Sequence, residues 1–232
     1  MKFSDIYNAK KGKHIISYEV FPPKNDMDFN GLYKTIEDLK DINPDYVSVT
    51  YGAGGSNRDK TLEIASTIKN KMGTEVVAHL TCVNATVHDT DLMLERFKKE
   101  NIENLKRKID NGATNVITQL FFINDSFYRY RDLCCKKNIN VKIEPGIMPI
   151  LNFKSVQRMV NLCGAKIPAK LLSDLEKNQD NISVIKKIGI DYATEQIANL
   201  LDNQVDGIHF YAMNKSEDIK AIYNAVKSKI IR

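Results

Sequence analysis

The 232-residue chain has no tryptophan, and only four cysteines and four histidines. Cys82, Cys134, Cys135 and Cys163 make no C-x-x-C pair, and so few histidines leave no metal-ligand spacing. Unpaired thiols fit a reducing compartment. Long apolar runs are also missing, with nothing near the ~18 residues of a membrane span. Met1 to Lys13 is polar and lysine-bearing, without the apolar core of a leader. The chain therefore reads as soluble and cytoplasmic, with no membrane partner. Low-complexity tracts and linker-like stretches are absent, so residues 1–232 read as one domain. A single-sign charge excess is nearly absent too: the net charge is +5, spread along the chain. No nucleic-acid partner is expected, whereas a polyanionic small ligand suits the surplus. What remains, 43% hydrophobic and 27% charged residues, is the composition of a globular protein with a full core.

The periodicity alternates between strand and helix. Strands are predicted at His14–Phe21, Tyr46–Tyr51, Glu75–Cys82, Thr114–Phe122, Asn140–Ile147 and Gly207–Met213. Helices are predicted at 29–42, 58–72, 94–111, 125–137, 152–163, 169–177, 182–201 and 216–231, with Asn124 as the cap of the fourth. This rhythm implies a parallel sheet covered by helices. The dinucleotide fingerprint G-x-G-x-x-G does not follow the first strand, because Pro22-Pro23 stands there. Polar residues instead mark the C-terminal ends of the strands: Glu19, Thr50, His79, Gln119 and Tyr211. A TIM-barrel-like parallel (β/α) fold gathers all such tips at one mouth. Only about six βα units are visible where a barrel has eight, so the barrel is expected to be incomplete.

Glu19 ends an apolar strand and shares a face with Ser17 and Ile15. A carboxyl group in an apolar mouth keeps its proton near neutral pH and can donate it; a strand-end glutamate paired with a lysine is the plainer alternative. Gln119 can read a ligand's heterocycle edge or serve as core scaffolding. His79 is a structural histidine or a ligand contact. Glu144, beside Pro145, is expected to pair with a lysine. The run from Leu105 to Lys108 reads as a solvated basic face. Asn104, Arg107 and Lys108 nevertheless fall on one side of a helix, where they can grip a diphosphate.

Seven segments in order then carry a resemblance: Ser17-Tyr-Glu-Val-Phe-Pro-Pro-Lys24, Val47-Ser-Val-Thr-Tyr-Gly52, Ala78-His-Leu-Thr-Cys82, Asn104-Leu-Lys-Arg-Lys108, Ile117-Thr-Gln-Leu-Phe-Phe122, Pro145-Gly-Ile-Met-Pro149 and His209-Phe-Tyr211. Together the chain resembles methylenetetrahydrofolate reductases. The resemblance implies a barrel that holds FAD, reduced by NADH or NADPH. The reaction would turn 5,10-methylenetetrahydrofolate into 5-methyltetrahydrofolate. It implies that Glu19 is the acid that opens the folate's five-membered ring and that Gln119 contacts the pterin. Thr50, Tyr51, Ala53 and His79 would contact flavin and nicotinamide, and Asn104, Arg107 and Lys108 the FAD diphosphate. Lys215 would take the place of a folate-contacting arginine, keeping the charge without the planar fork. Leu175 would lie in the helix that packs near the folate.

The chain departs from the family between the third strand and the Asn104 helix. The family has two further strands there, one ending in Arg-Gly-Asp and one carrying Tyr-Pro-Glu-x-His-Pro, and neither motif occurs here. At ~30 residues per unit, two units amount to ~60 residues. Their loss would leave sheet edges for a homo-oligomer or a partner subunit to cover. It also leaves a second reading open, an accessory homologue that binds folate or a partner without turnover.

Overall fold

The computed structural model describes residues 3–23, 29–50, 58–78, 105–106, 109–110 and 113–231. Its strands are β1 (Ile15–Val20), β2 (Tyr46–Val49), β3 (Val76–Ala78), β4 (Asn115–Ile117), β5 (Lys142–Glu144), β6 (Gly146–Ile147) and β7 (Gly207–Tyr211). The helices are α1 (Phe3–Ala9), α2 (Phe29–Leu39), α3 (Arg58–Lys71), α4 (Asn124–Lys136), α5 (Phe153–Cys163), α6 (Ala169–Lys177), α7 (Ile182–Asp202) and α8 (Ser216–Val226).

Every pairing is parallel, in the order β3-β2-β1-β7-β6, with β4 beside β5. Strands β5 and β6 are one path interrupted at Pro145, a residue with no N–H for the ladder. Before the proline the path pairs with β4, and after it with β7. Around the sheet the order is therefore third, second, first, last, fifth, fourth. Among the described residues that is the cyclic order of a (β/α) barrel, with β3 and β4 at the two ends of the order. Among the described residues neither β3 nor β4 has a second neighbour.

Burial follows the period of two. Ile16, Tyr18, Val20, Val47, Val49, Ile143, Ile147, Ile208 and Phe210 point outward into the main core with Leu32, Ile36, Ile64, Ile68, Ile219 and Ile222 of the helices. Ile15, Tyr46, Val77 and Ile117 form an inner cluster with Ile6 and Tyr7 of α1. This short helix was not foreseen in the polar N-terminus. It plugs the N-terminal end of the barrel, and Lys10, just past it, pairs with the Asp45 carboxylate at 2.8 Å.

At the opposite end, α5 and α6 build a side wall. Phe153, Val156, Leu171, Leu175 and Ile185 pack on Leu120, Phe122, Met148 and Ile150, which leave β4 and β6. This explains why β4 stops at Ile117 rather than Phe122: the apolar run beyond it packs against helices instead of pairing. Asn124 does not cap α4. It opens that helix, and its amide donates to the Gln196 carbonyl at 3.0 Å and to Asn199 Oδ1 at 2.7 Å, tying α4 to α7. Of the charged helix predicted over 94–111, residues 105–106 and 109–110 are described, and they are helical.

Helix α7 crosses the backbone of the rim so closely that only glycine fits at position 189. A Cβ there would stand 1.8 Å from the Ile150 carbonyl oxygen. Alanine would gain about 1 kcal/mol of helix propensity, but overpacking costs about 1–3 kcal/mol and more where backbone must move. Gly189→Ala is therefore expected to lower stability by about 1–3 kcal/mol, read as a reduced urea midpoint at unchanged m-value. An unchanged or raised midpoint would show that this contact yields without cost.

Candidate active site

β1 lies between β2 and β7, so its register decides what meets at the mouth. Ser17 pairs with Tyr46 and His209, and Glu19 pairs with Ser48 and Tyr211. All of these residues point into the barrel, stacked in two polar layers above the apolar plug.

The upper layer holds Glu19, which is 6% exposed. Burial pushes its pKa from 4.5 up to about 7, and the Ser48 hydroxyl, 3.5 Å from Oε2, pulls weakly the other way. A carboxyl group so placed is half protonated near neutral pH, the condition for a general acid. Tyr211 stands beside it and donates to the Thr118 carbonyl at 2.8 Å. Burial raises its hydroxyl's pKa, and Glu19 and Cys163 add to the effect. Gly146 makes room for this tyrosine, since a Cβ at 146 would lie 2.6 Å from the Tyr211 ring and 2.4 Å from the Thr118 carbonyl.

The lower layer holds Glu144, which is 0% exposed. It does not pair with a lysine, the partner expected from the sequence. Lys142, two residues earlier, is taken by Asp206 at 2.6 Å, and Glu144 meets the Ser17 and Tyr46 hydroxyls instead. Burial, with Asp206 adding to it, holds its carboxyl well above the ordinary range.

Thr50 follows β2 at the same rim; its N–H donates to the Val20 carbonyl at 3.1 Å and its own carbonyl accepts from Thr61 at 3.0 Å. Gln119 lies two residues past β4, not inside a strand. It is exposed, and its side-chain oxygen accepts from the Leu120 N–H at 2.9 Å. It adjoins Thr118, which Tyr211 holds, so Gln119 and Glu19 share one end of the sheet. Lys215 is exposed where β7 hands over to α8. Its neighbour Asn214 bonds both backbone groups of Phe21 at 3.2 Å, clamping the loops that follow β1 and β7. Leu175 is 0% exposed within the side wall, where it packs beneath the rim. Tyr51, Ala53, His79, Asn104, Arg107 and Lys108 lie outside the described residues.

Sequence reasoning missed Ser48 and the Ser17–Glu144–His209 cluster as site features. The signal was available in the period of two: stepping back from Glu19, Thr50 and Tyr211 reaches Ser17, Ser48 and His209.

The methylenetetrahydrofolate reductase family profile matches residues 2–104 and 95–227. The chain belongs to the methylenetetrahydrofolate reductase family. It is 31% identical to the 5,10-methylenetetrahydrofolate reductase of Buchnera aphidicola subsp. Acyrthosiphon pisum, covering 92% of this chain and 93% of that one. It is 30% identical to the Escherichia coli K12 enzyme, covering 91% and 90%. It spans about half (47%) of the Arabidopsis thaliana methylenetetrahydrofolate reductase (NADH) 1, at 29% identity over 89% of this chain. A solved Clostridium thermocellum protein that binds two copies of 5-methyl-5,6,7,8-tetrahydrofolic acid shares the fold. Its TM-score is 0.65 at 16% identity, over 97% of this chain and 98% of its own.

Alignment lengths bear on the opened barrel. Against the E. coli reductase, 91% of 232 residues, about 211, is spread over 267 columns, so about 56 columns have no counterpart here. That is two βα units at ~30 residues each. The two profile matches overlap at 95–104, in the sequence between β3 and β4.

The Glu19 shift has a sign that stability can report. Between pH 4.5 and about 7 the folded reductase homologue keeps a proton that the unfolded chain has lost. Its stability contribution therefore falls as pH rises through that window, by up to about 3 kcal/mol, and Glu144 extends the decline to higher pH. Glu19→Gln is expected to flatten this part of the profile, so its stability relative to wild type rises from pH 5 to pH 8. Parallel urea-midpoint profiles for the two proteins would refute the buried-acid assignment.

Proposed function

We propose that this chain reduces 5,10-methylenetetrahydrofolate to 5-methyltetrahydrofolate at the C-terminal rim of the opened barrel, within one-carbon metabolism. The observation that carries the reading is Glu19, buried and held near neutral pKa at the place where family members bring their acid. Glu19 donates its proton to the folate nitrogen, the C–N bond of the five-membered ring breaks, and the methylene carbon becomes a reducible iminium. Gln119 binds the pterin edge, and Lys215, exposed, takes the folate's anionic part. The side wall built on Leu175 stiffens the loops that carry Gln119 and Met148.

The hydride donor in this reading is FAD, itself reduced by NADH or NADPH. Chemically, Asn104, Arg107 and Lys108 suit its diphosphate: an amide, a planar guanidinium and an ammonium. Thr50, Tyr51, Ala53 and His79 would face its ring and the nicotinamide. Bound there, the flavin would supply a two-electron reductant beside the folate. The opened edge between β3 and β4 removes part of the flavin wall, which a second copy or a partner subunit would restore. The chain is taken to work as one domain in the cytoplasm; among the described residues no helix is long and apolar enough to cross a membrane.

A second reading has one specific observation in its favour. The Clostridium thermocellum protein is matched almost end to end, and it is described by the folate that it binds. On that reading the rim binds folate without flavin-dependent turnover.

Two measurements separate the readings. Purified protein supplied with FAD should retain a flavin absorbance band and turn over methylenetetrahydrofolate with NADH or NADPH. A colourless protein that still binds the folate would favour the second reading. Glu19→Gln should lower folate reduction by about 10²–10⁴-fold while leaving nicotinamide-driven flavin reduction intact. Normal folate turnover in that variant would remove Glu19 from the acid's role.

A further inference from the structure

One layer beneath Glu19 lies a carboxyl group that the proposed reaction does not use. Glu144 closes β5 and points into the barrel, sealed from solvent. Its Oε2 is 2.9 Å from Ser17 Oγ, and the Tyr46 hydroxyl reaches both carboxyl oxygens, at 3.0 and 3.1 Å. Ser17 Oγ is also 2.7 Å from Nδ1 of His209. The His209 ring stacks on Tyr46 at 6.3 Å between centroids and meets the Tyr211 ring edge-on at 5.3 Å. Three strands thus contribute to one line of contacts: carboxyl, hydroxyl, imidazole.

A serine hydroxyl has one proton to give and two lone pairs to offer. With the Glu144 proton on Oε2, the carboxyl donates to Ser17 and Ser17 donates to Nδ1 of a neutral imidazole. If the Oε2–H bond breaks as a new bond forms to Ser17 Oγ, the original serine proton passes to Nδ1. A carboxyl–imidazole pair becomes a carboxylate–imidazolium pair. No proton enters or leaves the barrel, and Ser17 ends as it began.

We propose that Glu144, Ser17 and His209 form a buried proton relay that positions and tunes Glu19. The inference rests on the reading of Glu19 as the folate acid. Ser17 and Glu19 share a face of β1, and His209 and Tyr211 share a face of β7, so the relay lies directly below the acid's layer. When Glu19 gives up its proton, negative charge appears at the rim. Movement of the relay proton toward His209 brings positive charge up beneath it, and the new carboxylate is stabilised. When Glu19 is reprotonated, the relay proton returns to Glu144. The other polar groups facing the relay do not replace it. Tyr46 and Tyr211 keep their protons, Asp206 is held by Lys142 at 2.6 Å and Asp45 by Lys10 at 2.8 Å, and the inner residues of β3 and β4 are Val77, Ile117 and Asn115, whose amide donates to the Tyr7 hydroxyl at 3.3 Å. Glu144, Ser17 and His209 are positioning residues here, since none is placed against substrate.

The test uses the whole chain labelled with ¹⁵N-histidine, alongside Glu144→Gln, Ser17→Ala and Glu19→Gln. The His209 Nδ1 signal, identified by its loss in His209→Gln, is expected to move with pH in step with Glu19. That response should vanish in Glu19→Gln, in Ser17→Ala and in Glu144→Gln, whose amide keeps the shape but has no acidic proton to pass. In folate turnover, Ser17→Ala and Glu144→Gln should shift the Glu19 limb of the kcat pH profile by on the order of half a unit to one unit, with KM little changed. A His209 signal that ignores Glu19 in the wild-type chain overturns the relay, and that measurement needs no variant to fold. So does a limb that stays put in both relay variants. The nuclear signal needs no turnover, so a chain that shows the response but never reduces folate would sink the enzymatic reading and leave the relay standing.

Discussion

Because β1 pairs in parallel with β2 on one side and β7 on the other, a single register decides which side chains meet inside the barrel. Slipping β1 by one residue would turn Ser17 and Glu19 outward among the helices and bring Tyr18 and Val20 into the polar layers. The alternation of apolar and polar residues along β1, β2 and β7 makes that slip costly on both faces at once. The site is therefore specified by the same pattern that builds the core. The buried acids depend on it too, since each of their partners arrives on a neighbouring strand at a matching height.

Much of this was legible in the residues. The alternation of periods announced a parallel sheet with covering helices. The polar strand ends announced a common mouth, and the shortage of strands announced a barrel with a piece missing. Among the described residues, β3 and β4 stand at the two ends of the strand order. Less legible was whatever depends on distant partners. Glu144 looked like an acid awaiting a lysine, with Lys142 two residues before it. Its actual partners, Ser17 and Tyr46, are 127 and 98 residues away. β4 was overextended for a related reason. Leu120 to Phe122 is as apolar as a strand, and only the docking of α5 and α6 shows that it packs sideways. The plug α1 is under two turns long, too short for a helical period to stand out from a polar terminus.

The family relationship and the opened sheet belong together. About two units' worth of alignment columns fall opposite nothing in this chain, and among the described residues β3 and β4 stand at the two ends of the strand order. The inner faces of both ends still pack on the same plug, through Val77 and Ile117 with Ile6 and Tyr7. The strands that carry Glu19, Ser48, His209 and Tyr211 are each paired on both sides, so the ladder around the acid does not depend on where the strand order ends.

Pro145 has one more consequence. Because the strand changes partner there, the ladder of β4 among the described residues runs to the three residues of β5, and the pairing with β7 passes to the two residues of β6. The fold thus contains a seam: one proline separates a five-stranded body from a two-stranded flap. Amides on the flap should exchange with solvent by local opening well before those of β1. Thr118 and Gln119 follow directly on the flap, so such opening would reach the Gln119 side of the mouth before the Glu19 side.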